Sequence, residues 1–298
     1  MFRRIRLLCM APWAAVWLIG CGQVEPRPEV SSNDARPPGL TRDWHSRVEG
    51  LHRSAMEAPT RGDSLKRSLA RLRAIEEVWP DSALRLAAHI ADAAKANGMK
   101  AESCEAHMIG ATISARMLMA DARQRVHDAT IDALLLLPGS ADDARSRCVR
   151  AAIQFQDSTI LKDAPGWNVA HGHGIEAARA LLAALLADTA LFVRSHRETR
   201  TVLAGDTAPS ELRARIILDM ADAFDRRSMP DSALHWVKMA DHEATRAGSP
   251  YLLDQALHLR TYIEVNTGRY AAAGDHALQA RDLLQQLNAR WHLSETER

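Results

Sequence analysis

The chain has 298 residues, of which 38 are lysine or arginine and 37 are aspartate or glutamate, so its formal net charge is +1. A charge this close to zero excludes the strongly basic footprint of a nucleic-acid-binding protein. Hydrophobic residues make up 47% of the chain but aromatic residues only 5%, and this alanine- and leucine-rich composition disfavours a sheet protein. We therefore predict an all-α body.

The first 20 residues have the pattern of a secretory signal peptide. Arg3, Arg4 and Arg6 form a basic start, and an apolar run follows from Leu7 to Ile19. A run of about a dozen apolar residues is typical of a signal peptide. A helix that spans a bilayer needs about 20 such residues, so this run is too short to be one.

A cysteine follows directly after this apolar run, in the order Leu18-Ile19-Gly20-Cys21. This order resembles the lipobox of bacterial lipoproteins, and the resemblance implies cleavage before Cys21 and diacylation of its side chain. An ordinary secretory signal with a chance cysteine is the alternative. Several acyl chains hold a protein on a membrane where one is marginal, because each buried CH2 contributes about 0.8 kcal/mol. The residue after the cysteine is Gly22 and not the aspartate of inner-membrane lipoproteins, so the resemblance implies the outer membrane, facing the periplasm.

Residues 21–40 are predicted to form a tether between the lipid and a folded domain. The stretch 24–40 reads VEPRPEVSSNDARPPGL, which is polar and proline-rich enough to remain extended. The domain is expected to cover residues 41–298, with a first helix from about Thr41 to Met56 that caps the rest of the domain. Without the signal peptide, 35 basic residues face 37 acidic ones.

A five-residue sequence occurs twice in the domain at a fixed offset from a glycine. Residues 80–84 and 230–234 both read PDSAL, and Gly98 and Gly248 follow at the same distance. Self-similarity of this kind indicates a repeat array. Each copy predicts a helix with proline in its first turn, capped by the aspartate or the serine and ended by the glycine.

Small and aliphatic residues then recur at spacings of four and three, on one face of each predicted helix. The series are Ala83, Ala87, Ile90; Ala122, Val126, Ala129; Ala233, Val237, Ala240; and Ala273, Ala277, Ala280. With Gly268-Arg269-Tyr270 before the last series, and with Ile217, Met220, Ala221 and Phe224 upstream, the pattern resembles the tetratricopeptide repeat. The resemblance implies a right-handed α-solenoid of helical hairpins.

We expect five hairpins between residues 64 and 288. Their interval is about 40 residues, longer than the usual 34 of the family. The third hairpin, from Ala141 to about His196, fits loosely, since the loop between Ile160 and Ile175 interrupts it. Trp79 and Trp236 are predicted to fill gaps between hairpins, and Trp167 in the loop is a contact candidate.

In the resembling family the first helices line a concave groove that accepts a peptide or a partner helix. Carried over by position, the resemblance implies that the groove residues here are Arg215, Asp222, Asp225 and Arg226 in one hairpin, Asp254, Thr261 and Glu264 in the next, and Cys104, His107 and Ser114 in an earlier one. The alternative for each of them is a solvated helix face.

No cluster in the sequence has the pattern of a catalytic centre, and we expect no cofactor. His171-Gly172-His173, with Asp163 nearby, is a candidate metal site that lacks a third assigned ligand. Cys104 and His107 have a zinc-like spacing without a second pair. Two cysteines, Cys104 and Cys148, remain in the exported domain, and a disulfide between them needs Cα atoms within about 7 Å.

The sequence therefore predicts a membrane-anchored periplasmic lipoprotein that is not an enzyme and that binds an unknown protein or peptide through a helical-repeat scaffold. Two alternatives stay open. One is a periplasmic metal-binding protein or enzyme centred on the loop from His171 to His173. The other is a sensory input module of a signalling system.

Overall fold

The computed structural model describes residues 39–136 and 173–289, apart from residues 118, 206, 207 and 209. This part of the chain forms eleven α-helices and no strand, and the helices pack in consecutive pairs. The predicted all-α solenoid of hairpins is confirmed. The helices are α1 (Leu40–Met56), α2 (Arg61–Ile75), α3 (Pro80–Ala96), α4 (Lys100–Arg116), α5 (Ala122–Leu136), α6 (His173–Leu185), α7 (Thr189–Gly205), α8 (Glu211–Arg226), α9 (Pro230–Arg246), α10 (Pro250–Asn266) and α11 (Tyr270–Gln286).

Several predictions lie outside the described residues. They concern the signal peptide and most of the tether, Cys21, the first arm of the third hairpin, Cys148, Asp163, Trp167 and His171. Within the described residues, no helix is both long and apolar enough to span a bilayer.

The two PDSAL copies begin helices, as predicted, but their capping differs from the prediction. Pro80 and Pro230 are the first residues of α3 and α9. The N-cap positions belong to Trp79 and Met229, and neither helix has a side-chain cap hydrogen bond, so the predicted aspartate or serine cap is wrong. Because proline occupies the first helical position, Asp81 lies inside the first turn. Its negative charge there interacts favourably with the positive end of the helix dipole, but its side chain caps no backbone N–H.

A short turn with one left-handed residue follows each of α3, α6, α8, α9 and α10. Gly98 (φ 71°) and Gly248 (φ 66°) follow α3 and α9, as the sequence predicts. The amide after each glycine bonds back into the helix, as in Ser249 N to Ala244 O at 3.0 Å, which satisfies a carbonyl at the helix end. Since α9, α10 and α11 begin 20 residues apart, one hairpin takes 40 residues, the interval that the sequence predicts.

The third hairpin differs from its prediction. The structure describes a hairpin of α6 and α7 here, with its turn at residues 186–188. The predicted end of the hairpin at about His196 is wrong, because α7 continues to Gly205. Ala187 takes the left-handed conformation (φ 57°), and the Asp188 carboxylate accepts from Leu191 N at 2.9 Å. This turn contains neither glycine nor proline, and Asp188 is the one residue in it that is typical of turns and helix N-caps.

The first helix does more than cap the array. Trp44 and Val48 are buried, and Trp44 packs edge to face on Trp79 at 5.2 Å between ring centroids. The other edge of α1 reaches the last hairpins: Thr41 Oγ1 donates to Gln286 Oε1 at 3.2 Å, and Arg47 donates to Glu211 at 2.9 Å. The N-terminal helix therefore contacts both ends of the described array.

Candidate functional site

The predicted groove residues do not form one open surface. Only His107 and Arg226 are exposed; Asp254, Glu264, Cys104 and Ser114 are buried, and the other four are half-buried. Asp222 is held by Arg226, whose Nε donates to Asp222 Oδ1 at 3.0 Å.

Arg215 takes part in an ion-pair cluster that joins two distant parts of the chain. Its guanidinium lies 3.4 Å from Glu77 Oε1, and Glu77 also pairs with Arg116 of α4. Tyr251 of α10 is buried beside these charges, and its burial raises the pKa of the phenol. Arg215 therefore links α8 to the N-terminal hairpins.

The two buried groove carboxylates are also paired within the chain. Asp254 lies 3.3 Å from His258 Nε2. Glu264 Oε2 lies 2.7 Å from His276 Nδ1, and Glu264 Oε1 accepts from Arg260 Nε at 3.1 Å. Burial by itself raises the pKa of Glu264, but the hydrogen bond and charge of His276, together with Arg260, bring that pKa below its ordinary value. Both carboxylates stabilise contacts within the array.

Asp225 is, like Asp222, a half-buried acid of the predicted groove set. Burial raises its pKa to about 6, the neighbouring charge of Asp222 adds to the rise, and Arg226 opposes it. Thr261 is half-buried on α10, and its Oγ1 finds no hydrogen-bond partner in the described part of the chain. Neither residue lines the cleft described next.

A cleft of about 660 Å³ lies elsewhere, between α7, α8 and α9. Aromatic and imidazole rings pack around it. Phe192 meets Phe224 edge to face at 5.3 Å, and Phe224 stacks on Trp236 at 6.2 Å. His196 lies among these rings, 5.1 Å from Phe224 and 5.8 Å from Trp236. The residues that line the cleft are His196, Arg200, Leu203, Ala204, Arg213, Phe224, Asp231, Ser232, His235, Trp236 and Met239.

The cleft exists because α8 packs on α6 and hardly touches α7. Alanines make α6 narrow: Ala177, Ala178, Ala180 and Ala183 are all fully buried, and small side chains let helix axes approach closely. At the next junction α10 packs extensively on α9. The wider separation of α7 from α8 leaves the cleft between them, while the rings beneath it stay nearly buried: Phe224 is 5% and Trp236 8% exposed.

Basic side chains surround the ring surface. Arg200 and His235 are exposed, and Arg213 is fixed by its donation to Leu203 O at 2.7 Å and by Glu243 at 3.5 Å. The one carboxylate in the lining, Asp231, faces Arg269 at 3.5 Å. Burial lowers the pKa of His196, and Arg200 lowers it further, so this imidazole is neutral at pH 7.

The sequence reasoning found only part of this site. Trp236, predicted to fill a gap between hairpins, is 8% exposed and forms part of the cleft wall. Phe192, His196 and Arg200 were missed. Their spacing of four residues on one helix is the signal that was available, but the third hairpin was predicted to end at about His196, in the middle of α7.

The metal hypothesis receives no test from the described residues. His171 is outside them, and the side chain of His173 is not described. No group of three potential metal ligands occurs in the part of the chain that the structure describes. Cys104 is buried on α4, and its pairing with Cys148 stays a prediction.

The chain matches no protein-family model, and no curated protein matches it significantly.

Proposed function

We propose that this protein is a membrane-anchored periplasmic lipoprotein that serves as a helical-repeat scaffold for another protein. The observation that carries the proposal is the cleft between α7, α8 and α9, in which exposed basic side chains lie above a floor of stacked, nearly buried rings. Aromatic residues and arginines supply much of the binding energy at protein interfaces, because they bury large rigid surfaces and make several hydrogen bonds.

The anchor is the second part of the proposal. Cys21 in its lipobox-like context supports lipid attachment, and two or three acyl chains give stable membrane binding. The proline-rich residues between Cys21 and Leu40 separate the first helix from the lipid. Attachment of this kind confines the cleft to partners in one layer next to the membrane.

Site-specific photocrosslinking in intact cells tests the scaffold function. A photoreactive residue at position 235 on the cleft rim is expected to give one recurrent protein adduct. The same residue at position 95, exposed on α3, is the matched control and is expected to give none. Adducts that are absent at position 235, or identical at both positions, would contradict the proposal.

Metabolic labelling with palmitate tests the anchor separately. The label is expected on the wild-type chain and not on Cys21→Ala. A label that survives this substitution removes the basis for membrane attachment at Cys21. The adduct at position 235 is also expected to weaken in Cys21→Ala, because the chain then leaves the membrane surface.

A further inference from the structure

We infer that the cleft between α7, α8 and α9 binds a short extended peptide segment in which an apolar side chain is flanked by carboxylates. This inference rests on the proposed function, for which it names the class of partner. The cleft lies between two second helices of the hairpins, α7 and α9, with α8 as its floor. None of the predicted groove residues is among those that line it.

The floor accounts for the apolar side chain. Phe224 and Trp236 stack with centroids 6.2 Å apart and are nearly buried. The apolar surface above them that remains accessible is on half-buried Met239 and exposed Ala204. His196 is neutral at pH 7, since burial lowers its pKa. An apolar side chain that binds against this surface removes apolar area from water and buries no unpaired charge.

The rim accounts for the carboxylates. Arg200 and Arg213 line the cleft together with His235, against the single carboxylate of Asp231, which faces Arg269. Arg213 is already held by Leu203 O and Glu243, so Arg200, exposed on α7, is the arginine placed to receive an anion. Guanidinium groups bind carboxylates through paired hydrogen bonds.

The walls limit the length of the segment. The α7 wall runs from His196 to Ala204 and the α9 wall from Asp231 to Met239, and a helix rises 1.5 Å per residue, so each wall is about 12 Å long. An extended chain covers about 3.3 to 3.6 Å per residue. The cleft thus holds three or four residues of an extended peptide.

Calorimetric titration of the full chain with three short probes tests the inference. The probes are the acetylated and amidated peptides Asp-Leu-Trp-Asp, Lys-Leu-Trp-Lys and Asp-Ser-Gly-Asp. The first is expected to bind at least about tenfold more tightly than the other two, because only it combines both features. Arg200→Glu is expected to weaken its binding by about tenfold, since the substitution replaces attraction with repulsion.

Arg194→Glu is the matched control. It makes the same charge change on the exposed surface of α7 but does not line the cleft, so it should leave the affinity within about twofold. Both arginines are exposed, so neither change removes buried packing. A further probe, 3-phenylpropionate, tests whether the ligand is a free apolar acid and not a peptide. If it binds as tightly as Asp-Leu-Trp-Asp, the peptide inference is overturned.

Two other results would overturn it. One is equal affinity for the acidic and the basic apolar peptide. The other is an unchanged affinity in Arg200→Glu. If either occurs while the photocrosslinks at position 235 persist, the scaffold function stands and only the class of partner is wrong. If the crosslinks are absent, the proposed function is contradicted, whatever the peptide titrations show.

Discussion

Two successive junctions of the same array are built differently. Between the fourth and fifth hairpins, α9 packs closely on α10, so the second helix of one hairpin covers the first helix of the next. Between the third and fourth hairpins, α8 packs on α6 and leaves α7 apart. The difference shows that a helical array opens a cleft when the first helix of one hairpin packs against the first helix of the hairpin before it.

The side chains explain why the two junctions differ. Every described side chain of α6 from Glu176 to Ala184 is buried, and most of them are alanine or leucine. Because its side chains are small, α6 lets the axis of α8 come close while it also packs on α7. Dispersion and burial then favour the close contact of α6 and α8. The rings of α7 and α9 remain at the edge of this contact.

The largest expected effect compares truncations at the two junctions. Leu253 is fully buried on α10, and Leu253→Ala should lower the free energy of unfolding by about 3 kcal/mol, because it leaves a cavity. Met239 lines the open cleft, where the removed atoms are replaced by solvent, so Met239→Ala should cost about 1 kcal/mol or less. Urea denaturation measures both values. Equal losses would mean that the two junctions are equally packed.

Enlarging a side chain gives the next effect. Ala180 on α6 is fully buried, so Ala180→Leu should destabilise the fold by about 2 kcal/mol through overpacking. Ala204 is exposed and lines the cleft, so Ala204→Leu should change stability by less than about 0.5 kcal/mol. Thermal unfolding of both variants provides the measurement, and a tolerant Ala180→Leu would contradict the close approach of α6 to its neighbours.

The turns on either side of α7 to α9 differ in a smaller way. Ala187 has φ 57° and Gly248 has φ 66°, and a side chain in this conformation is strained. Ala187→Gly should raise the unfolding free energy by about 0.5 to 1 kcal/mol, because the relief of strain exceeds the added entropy of the unfolded chain. Gly248→Ala should lower it by a similar amount. A Cβ at Gly248 meets no atom within 4 Å, so a much larger loss would show that backbone strain is not the cause.

The smallest effect is a pH dependence of opposite sign at two carboxylates. The pKa of Asp225 is raised from 3.8 to about 6, so its contribution to stability is complete below pH 3.8 and is lost as the pH rises through about 6. The pKa of Glu264 is lowered from 4.5, so its contribution is present above pH 4.5 and is lost as the pH falls. Solvent screening at the half-buried Asp225 keeps its effect on stability below about 1 kcal/mol.

Denaturant titrations between pH 3 and pH 8 separate the two contributions. Asp225→Asn should flatten the fall in stability from pH 4 to pH 6, and Glu264→Gln should flatten the fall below pH 4.5. Asp92→Asn, exposed on α3, should reproduce the wild-type curve. An Asp225→Asn curve that keeps the wild-type slope would show that this carboxyl has an ordinary pKa in the folded chain.

The hairpin boundaries show how far sequence reasoning reached. Helix starts at Pro80 and Pro230 and turns at Gly98 and Gly248 were predicted correctly, because proline and glycine have backbone preferences that do not depend on neighbours. The turn at Ala187 was missed. A left-handed alanine is unfavourable by itself and persists only because the packing of α6 against α7 and α8 requires a turn there.

The predicted groove positions show what the sequence could not predict. A repeat resemblance assigns residues to helix faces, but it does not say what covers a face. Glu264 is covered by His276, and Arg215 is paired with Glu77, 138 residues away in sequence. Contacts over such separations depend on how the array curves, which no local pattern encodes.

The amino-acid sequence alone determined the helical class, the 40-residue hairpin and most of the helix ends, since these follow from the periodicity of small side chains and from proline and glycine. It also provides the lipobox-like cysteine on which the anchor proposal depends. Only the tertiary structure decided which polar side chains form internal ion pairs and where a cleft remains between the helices. The physical reason is that both depend on the choice of packing partner for α8, a long-range contact set by side-chain volume.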